Sequence, residues 1–419
     1  MSEGNQRAYH TLFILTAMHF FQHLDKAAIQ VTQEMIKHEF GLSDAQVGLM
    51  AGFSYGAGFA LMGLPLGYLI DRTHRVKLLA SLLAIWSGIT VVCGVATSFW
   101  QLIVTRTFLG AAEAGAVPGG LSILSNVFPP ERRAAVTSIF FSAVSLGAVT
   151  SFAAGGFIAT QFGWRSVFFI YGLPGFIIAA LLWFTVREPA RERPQSATPI
   201  AFRAAAALIV RDPVLVALYV TATFWTMAIS GVASWLFPYW IRVHNFAPPM
   251  AGLAVAGGFA VFGGLGSVAF GFLADRVDRR EKGRMLLVLT GVGLANGALA
   301  ISAAWVDQTL AALVLFCAWG LTALTYSGTI NAVIARRAHP DTLGMAFAVY
   351  VILGTLIGGG VGPLLVGIFS DHFAGPFGAS SLRPAFAMIA LLQVPAAIAL
   401  FVAYRMIREP AAAPGPVVA

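Results

Sequence analysis

The chain has 419 residues, of which 58% are hydrophobic and only 11% charged, and it carries a formal charge of +8. Soluble domains average roughly 25% charged residues, so this composition excludes a water-soluble globule. It also excludes a disordered or collagen-like chain, because apolar residues dominate throughout and the 44 glycines follow no triplet period.

A bilayer core needs about 20 apolar residues per helix. Twelve such runs fall near 10–34, 46–70, 77–98, 100–126, 133–160, 165–187, 213–241, 250–274, 285–305, 308–335, 342–370 and 384–405. The first contains Asp25 and Lys26 and lacks a small-residue cleavage site, so it reads as a retained helix and not a signal peptide. The expected fold class is all-α: a polytopic membrane protein with twelve transmembrane helices in two pseudo-symmetric six-helix bundles. Residues 1–187 form the first bundle, 188–212 a cytoplasmic linker, 213–405 the second bundle and 406–419 a cytoplasmic tail. The linker is marked by charge and proline: Glu188, Pro189, Arg191, Glu192, Arg193, Pro194 and Pro213.

Orientation follows from Lys and Arg in short loops. Twenty of the 26 fall in alternate loops, at both ends of the chain and in the linker, whereas only Lys37, Arg165, Arg242 and Arg383 lie on the other side. Both termini are therefore expected in the cytoplasm. The basic balance is topological, and no nucleic-acid partner is expected. Cys93 and Cys317 lie inside apolar runs without metal-ligand or CxxC spacing, so neither a disulfide framework nor a metal site follows.

The halves repeat one another. Gly67-Tyr68-Leu69-Ile70-Asp71-Arg72-Thr73-His74-Arg75 recurs 204 residues later as Gly271-Phe272-Leu273-Ala274-Asp275-Arg276-Val277-Asp278-Arg279. Each copy ends the second helix of its half. Parallel repeats of this kind place a substrate site between the halves and move by rocking. Gly67, Asp71, Arg72, Arg75, Gly271, Asp275, Arg276 and Arg279 are read as a cytoplasmic gate. The glycines would permit close helix approach, and the aspartates would dock on the positive N-terminal ends of helices 11 and 5, near Asp341 and Glu131. The competing reading is that these charges only mark the membrane boundary.

The paired Gly-x-x-x-Asp-Arg motifs and twelve-helix plan resemble the major facilitator superfamily over the whole chain. Within it, Gly41 through Gly48, Trp86-Ser87, Arg106 through Gly110 to Glu113-Ala114 and Pro118, Gly163-Trp164-Arg165, and Gly362-Pro363 through Ser370-Asp371 resemble the spinster-like branch. Anion:cation symporters share the Arg, Glu and Pro pattern of helix 4. The resemblance implies proton-linked movement of an amphipathic anion such as a lysophospholipid, with no cofactor beyond the proton gradient. Family members usually carry Asp-Arg in helix 1. Here it is Asp25-Lys26, with Gln22 where Asn is common, and Lys lacks the bidentate fork of Arg.

Four charges lie well inside the spans: Asp25, Lys26, Arg106 and Glu113. Each costs on the order of 2.5–3.5 kcal/mol at the bilayer centre, so all should face protein or a wet cavity. Helix rise puts Asp25 about 21 Å from the cytoplasmic edge and Arg106 about 8 Å from the outer edge, nearly level. An Asp25–Arg106 pair, or a Lys26 equivalent, is expected. Glu113 and Asp25 are the candidate proton-coupling carboxyls, and Lys26 and Arg106 the candidate substrate-binding charges. Protonation of Glu113 would free a cation for an anionic head group. The alternative is a fixed network that only specifies packing.

The second half has no such charges. It offers Thr221, Thr223, Thr226, Ser230 and Ser234 on helix 7 and Tyr326, Ser327 and Asn331 on helix 10. Trp235, Tyr239 and Trp240 read as an interfacial aromatic belt. His19 and His23 read as helix contacts, and Pro118 and Gly358-Gly359-Gly360 as bending points. With no Walker, HExxH or GxSxG motif in a usable context, no catalytic residue is expected and the chain is not read as an enzyme. The expectation is a monomeric transporter in a bacterial inner membrane. Small organic carboxylates are the alternative substrate class, and a lipid-modifying membrane enzyme the remote alternative.

Overall fold

The structure, a computed structural model, describes residues 3–190, 202–280, 283–339 and 342–408. Most of the linker, Asp341 and the tail beyond 408 lie outside the described residues, as do the side chains of Asp275 and Arg279. Every regular element among the described residues is helical. The first half comprises α1 (Glu3–Phe40), α2 (Asp44–Arg72), α3 (Arg75–Gly94), α4 (Phe99–Val127), α5 (Pro130–Phe162) and α6 (Trp164–Thr185). The second comprises α7 (Pro213–Arg242), α8 (Pro248–Ala274, continuing helically to Arg280), α9 (Arg284–Trp305), α10 (Thr309–Arg337), α11 (Leu343–Ser380) and α12 (Leu382–Arg408). A short linker helix, Phe202–Arg211, precedes α7.

Eleven of these helices are long and apolar enough to cross a bilayer; α1 is long enough but interrupted by polar residues. The stops are local chemistry. Ser43 and Gln46 form a capping box at the start of α2, and Asp212 accepts the Val214 and Leu215 N–H groups ahead of Pro213 at the start of α7. Gly163, at φ +81°, turns the chain between α5 and α6. Just beyond it Trp164 and Arg165 both donate to Glu39, tying α6 to the end of α1.

The same pairings recur in both halves. α1 packs on α5, α2 on α4 and α3 on α6; α7 packs on α11, α8 on α10 and α9 on α12. Glycine sets the tightest of these. A Cβ at Gly58 would strike the Thr107 carbonyl and one at Gly110 the Tyr55 carbonyl; Gly266 and Gly320 meet the Leu321 and Gly258 carbonyls in the same way. In each half the second and fourth helices therefore touch backbone to backbone, which gives close van der Waals packing where lipid offers no hydrophobic gain.

The halves meet through α2 with α11, α5 with α8 and α1 with α7. The meeting is one-sided. At the face away from the basic loops, Gly48 and Gly52 press on Pro363 and Gly360, Gly156 on Pro248 and Gly252 on Phe152. Toward the basic face a Cβ at Gly63, Gly67, Gly271 or Gly344 would meet nothing within 4 Å. The molecule is closed at one face and parted at the face bearing the paired motifs. Gly67 and Gly271 make no close helix approach in this conformation; the contacts expected of them belong to the state in which the basic face is shut.

Three helices carry π-helical turns: α2 at Leu49–Phe53, α8 at Ala256–Val261 and α11 at Leu353–Val361. The α11 turns contain the Gly358-Gly359-Gly360 run. The turns of α2 and α11 pack on each other, Gly52 against Gly360, so two irregular segments meet where the halves close.

Candidate functional site

Pro118 cannot donate to the Ala114 carbonyl, and α4 breaks into Phe99–Glu113 and Ala116–Val127 at that point. The break leaves the Glu113 carbonyl open to a side chain, and Gln22 Nε2 on α1 donates to it at 3.3 Å. His19 Nδ1 in turn lies 2.9 Å from Gln22 Oε1, and the His19 ring stacks on Phe140. The fully buried Glu113 carboxyl points to α2, where Tyr55 donates its hydroxyl to Oε2 at 2.6 Å.

Tyr55 also gathers the cations. Lys26 Nζ lies 5.1 Å from its ring centroid and Arg106 Cζ lies 5.4 Å from it. Asp25, at 1% exposure, lies within electrostatic reach of Glu113 and Arg106. The structure therefore brings all four predicted charges together, but not as the predicted pair. Both Asp25 carboxylate oxygens lack a protein hydrogen-bond partner, as do Arg106 Nε and Nη1, while Arg106 Nη2 faces the Lys26 carbonyl at 3.5 Å. Helix rise sets their common depth; rotation about the helix axes keeps Asp25 and Arg106 from meeting.

Exposure separates the four. Asp25, Arg106 and Glu113 are buried, whereas Lys26 is exposed. Its direction follows from its helix. Gln30 and Gln33, one and two turns further along α1, donate to the Ser234 hydroxyl and carbonyl on α7 at 3.1 and 2.7 Å. Lys26 shares that face, one turn after Gln22 and one turn before Gln30, with its ammonium over the Tyr55 ring.

On the second half, Thr226 Oγ1 and Tyr326 OH are 2.6 Å apart, Ser230 donates to the Gly358 carbonyl at 2.8 Å, and Asn331 Oδ1 is buried without a protein partner. Thr221 instead bonds the Ala217 and Ala396 carbonyls within its own half. Trp235, Tyr239 and Trp240 correct the sequence reading. They are buried in the core of the second half, where Trp235 donates to the Pro363 carbonyl and Tyr239 to the Ala303 carbonyl, and they form no interfacial belt. The apolar run near a helix end gave the same pattern for both.

The motif residues on the basic face divide by burial. Arg75 is 3% exposed and joins α3 to the end of α4 and to the strand of chain after α6: it donates to Glu188 at 2.6 Å, Asn126 at 2.5 Å, Ser122 and the Pro189 carbonyl. Glu188 also accepts the Val76 N–H at 2.9 Å. These bonds stay within the first half and the first two residues of the linker. Asp71 and Arg72 are exposed, with Arg72 over the Tyr68 ring at 4.2 Å, and Gly271 and Arg276 are exposed. The proposed Asp341 partner lies outside the described residues, and Glu131 is exposed in the first turn of α5.

Sequence reading missed the charge cluster on the closed face. Arg242 at the end of α7 holds Glu34 of α1 through two bonds of 2.9 and 2.8 Å and Asp44 of α2 through two of 2.7 and 2.9 Å. Lys37 reaches Asp44 at 2.5 Å, and Ser370 of α11 donates to it at 2.6 Å. Asp371 accepts the Asp44 and Ala45 N–H groups at 2.9 and 2.8 Å. Asp44 and Asp371 belong to two of the five stretches that carried the branch resemblance, and the fold places one on the other. Among the described residues no cluster of three or more His, Cys, Asp or Glu is placed to hold a metal.

Comparison with known proteins agrees with this plan. Residues 15–363 match the family model for the Major Facilitator Superfamily. The chain is 26% identical over 404 residues to an MFS-type efflux pump of Mycolicibacterium smegmatis, covering 96% of this chain and 93% of that protein. It is 25% identical over 365 residues to a probable L-galactonate transporter of Escherichia coli, covering 80% of each. A crystal structure of a bacterial homolog of the human lysosomal transporter spinster, inward-facing and unoccupied, superposes with a TM-score of 0.87 at 27% identity, covering 97% of this chain and 99% of that one. These relatives are transporters, not enzymes. With its fold, its repeat and its family match in agreement, the chain belongs to the major facilitator superfamily as an integral membrane transporter.

Proposed function

We propose that the protein is a proton-coupled secondary transporter that moves an amphipathic organic anion, such as a lysophospholipid, by alternating access. Its basic face lies in the cytoplasm of a bacterial inner membrane, with both termini on that side and residues 188–212 linking the two six-helix halves. The protein works as a monomer and needs only the proton gradient. The observation that carries this reading is the contrast between an exposed Lys26 and the buried carboxyls of Asp25 and Glu113 behind it. With both acids ionised the quartet is neutral. One added proton leaves a single net positive charge, with an exposed cation on hand to carry it.

Low polarity opposes an uncompensated charge, so protonation and anion binding favour one another. Glu113 is the better switching site, because the Tyr55 hydroxyl favours its ionised form while burial favours its neutral one, so that both forms are within reach, whereas Asp25 has no such donor. Asp25 then sets the local field for Lys26 and Arg106. Asp71, Arg72, Asp275, Arg276 and Arg279, with Gly67 and Gly271, act as the cytoplasmic gate when the halves close there.

Resemblance to the spinster branch favours a lysolipid. The similarity to an L-galactonate transporter, together with the Thr226, Ser230 and Tyr326 hydroxyls, favours a small hydroxylated carboxylate as the second reading. Uptake of labelled lysophospholipid and of galactonate into proteoliposomes, with and without an imposed pH gradient, separates the two. Gradient-driven flux that Glu113→Gln abolishes supports the coupling; gradient-driven flux through Glu113→Gln overturns it.

A further inference from the structure

We propose that Tyr55 is a positioning residue that ties both cations of the cavity to the protonation state of Glu113. The inference rests on Glu113 as the proton-coupling carboxyl and assigns the part that connects it to the anion site. Tyr55 contacts three of the four charges. Its single hydroxyl proton goes to Glu113 at 2.6 Å, the length of a charge-assisted O–H···O bond, while the faces of its ring serve Lys26 and Arg106.

The backbone makes this arrangement stiff. Gly110, one turn before Glu113 on α4, lies against the Tyr55 carbonyl so closely that no Cβ fits between them. The Tyr55 backbone therefore cannot move away from Glu113 without separating α2 from α4. The next residue, Gly56, abuts the π-helical turns of α11, its Cβ position 3.0 Å from the Thr355 carbonyl. Tyr55 and its neighbour Gly56 thus stand between the charged quartet and α11.

The consequence is a platform that holds a cation without neutralising it. When Glu113 is ionised, Lys26 is held by the carboxylate field and the ring together. When Glu113 is neutral the field goes and the ring stays, so Lys26 keeps its place with its charge available to an anion. The groups facing this unit are Asp25, Gln22, His19 and His23 from α1 and Arg106 from α4. None of them contacts both the carboxyl and the cations as Tyr55 does.

Two substitutions separate the donor from the platform. Tyr55→Phe keeps the ring and removes the hydroxyl; Tyr55→Leu removes both. For Tyr55→Phe, the pH midpoint of gradient-driven transport should move to higher pH by about one unit, since an ionised carboxylate loses a donor, with KM at low pH within about twofold of native. For Tyr55→Leu, the same pH displacement should come with a KM raised about tenfold, the loss of the cation–ring contacts. A native pH profile in Tyr55→Phe, or equal KM values in the two variants, overturns the proposal. Glu113→Gln is measured alongside: if it retains pH-dependent transport, the coupling reading has failed, whereas a native profile in Tyr55→Phe beside an uncoupled Glu113→Gln rejects the platform alone. Should Tyr55→Leu not accumulate, proton-induced infrared difference spectra of the native protein with ring-labelled tyrosine carry the test. A tyrosine C–O band that moves with the carboxyl band and is absent in Tyr55→Phe supports it, and no such band overturns it.

Discussion

Asp371, in the second half, accepts the first two N–H groups of α2 in the first half, from Asp44 at 2.9 Å and Ala45 at 2.8 Å. A helix N-terminus has orphan donors and a partial positive charge, so a carboxylate there satisfies both. What is unusual is that it comes from across the interface. The cap can exist only while the two halves are closed at this face, and so can the Arg242 bonds to Glu34 and Asp44.

Removing Arg242 should therefore open this face. Its side chain is 9% exposed, and truncation leaves Asp44 with Lys37 and Glu34 with the His38 ring at 3.5 Å, neither of which spans the two acids. Breaking a buried pair from one side costs about 3–5 kcal/mol, enough to reverse a conformational equilibrium of ordinary size. Spin labels at the exposed Gln161 and Met250, one on each half, should show a longer distance population in Arg242→Ala than in the native background. Arg242→Lys, which keeps charge and loses the bidentate fork, should fall between them. Identical distance distributions in all three would remove the latch role.

Why this latch escaped a sequence reading, while the helices did not, is a matter of range. A span declares itself in about 20 consecutive residues, and basic loops declare orientation with no knowledge of contacts. Glu34, Lys37, Asp44 and Arg242 each sit near a helix end, where a charge has an ordinary explanation in the membrane boundary. The Arg242 pairs that join the halves span 198 and 208 residues, which no local pattern encodes. Tyr55 is the same case. Tyrosine is common in membrane helices, and only the fold shows that its hydroxyl lies on Glu113. The charged quartet was legible because burial of charge is costly wherever it occurs. Its pairing was not, since helix rise gives depth without azimuth.

Arg75 and Arg72 were read as one gate, yet they should behave differently. Arg75 is buried with bonds to the first half and the start of the linker, and its loss removes the buried cation from Glu188 and leaves it with the Val76 N–H and His74, so Arg75→Ala should destabilise the protein by about 3 kcal/mol. Arg72 is exposed over Tyr68, and Arg72→Ala should stay within about 0.5 kcal/mol of native. Thermal unfolding in detergent at fixed pH compares them directly. Equal losses would return both to one role.

His244 lies in the connection between α7 and α8, outside the spans, between Tyr239 OH at 3.2 Å and Thr309 Oγ1 at 3.3 Å. Burial, reinforced by Arg383, lowers its pKa below the ordinary 6.5. A base whose folded pKa is depressed binds fewer protons folded than unfolded. Its contribution is therefore complete above pH 6.5 and is lost as the pH falls below that value. The thermal midpoint should decline from pH 6.5 downward, and His244→Gln should flatten the part of that decline that is its own. An unchanged slope in the variant would assign the acid sensitivity elsewhere.

Glycine substitutions offer the sharpest contrast between packing and motion. Gly110→Ala places a methyl group into the Tyr55 carbonyl, in a contact that no flexible side chain can relieve, and should cost at least about 1–3 kcal/mol with loss of folded protein. Gly67→Ala meets nothing within 4 Å in this conformation, so folding stability should be unchanged. If Gly67 is needed for the basic face to close, the same methyl group must obstruct the other conformation. Transport by Gly67→Ala should then fall several-fold at native protein levels, and spin labels across the basic face should lose their short-distance population. Native turnover in Gly67→Ala would mean that the repeated motif marks a membrane boundary and takes no part in closing it.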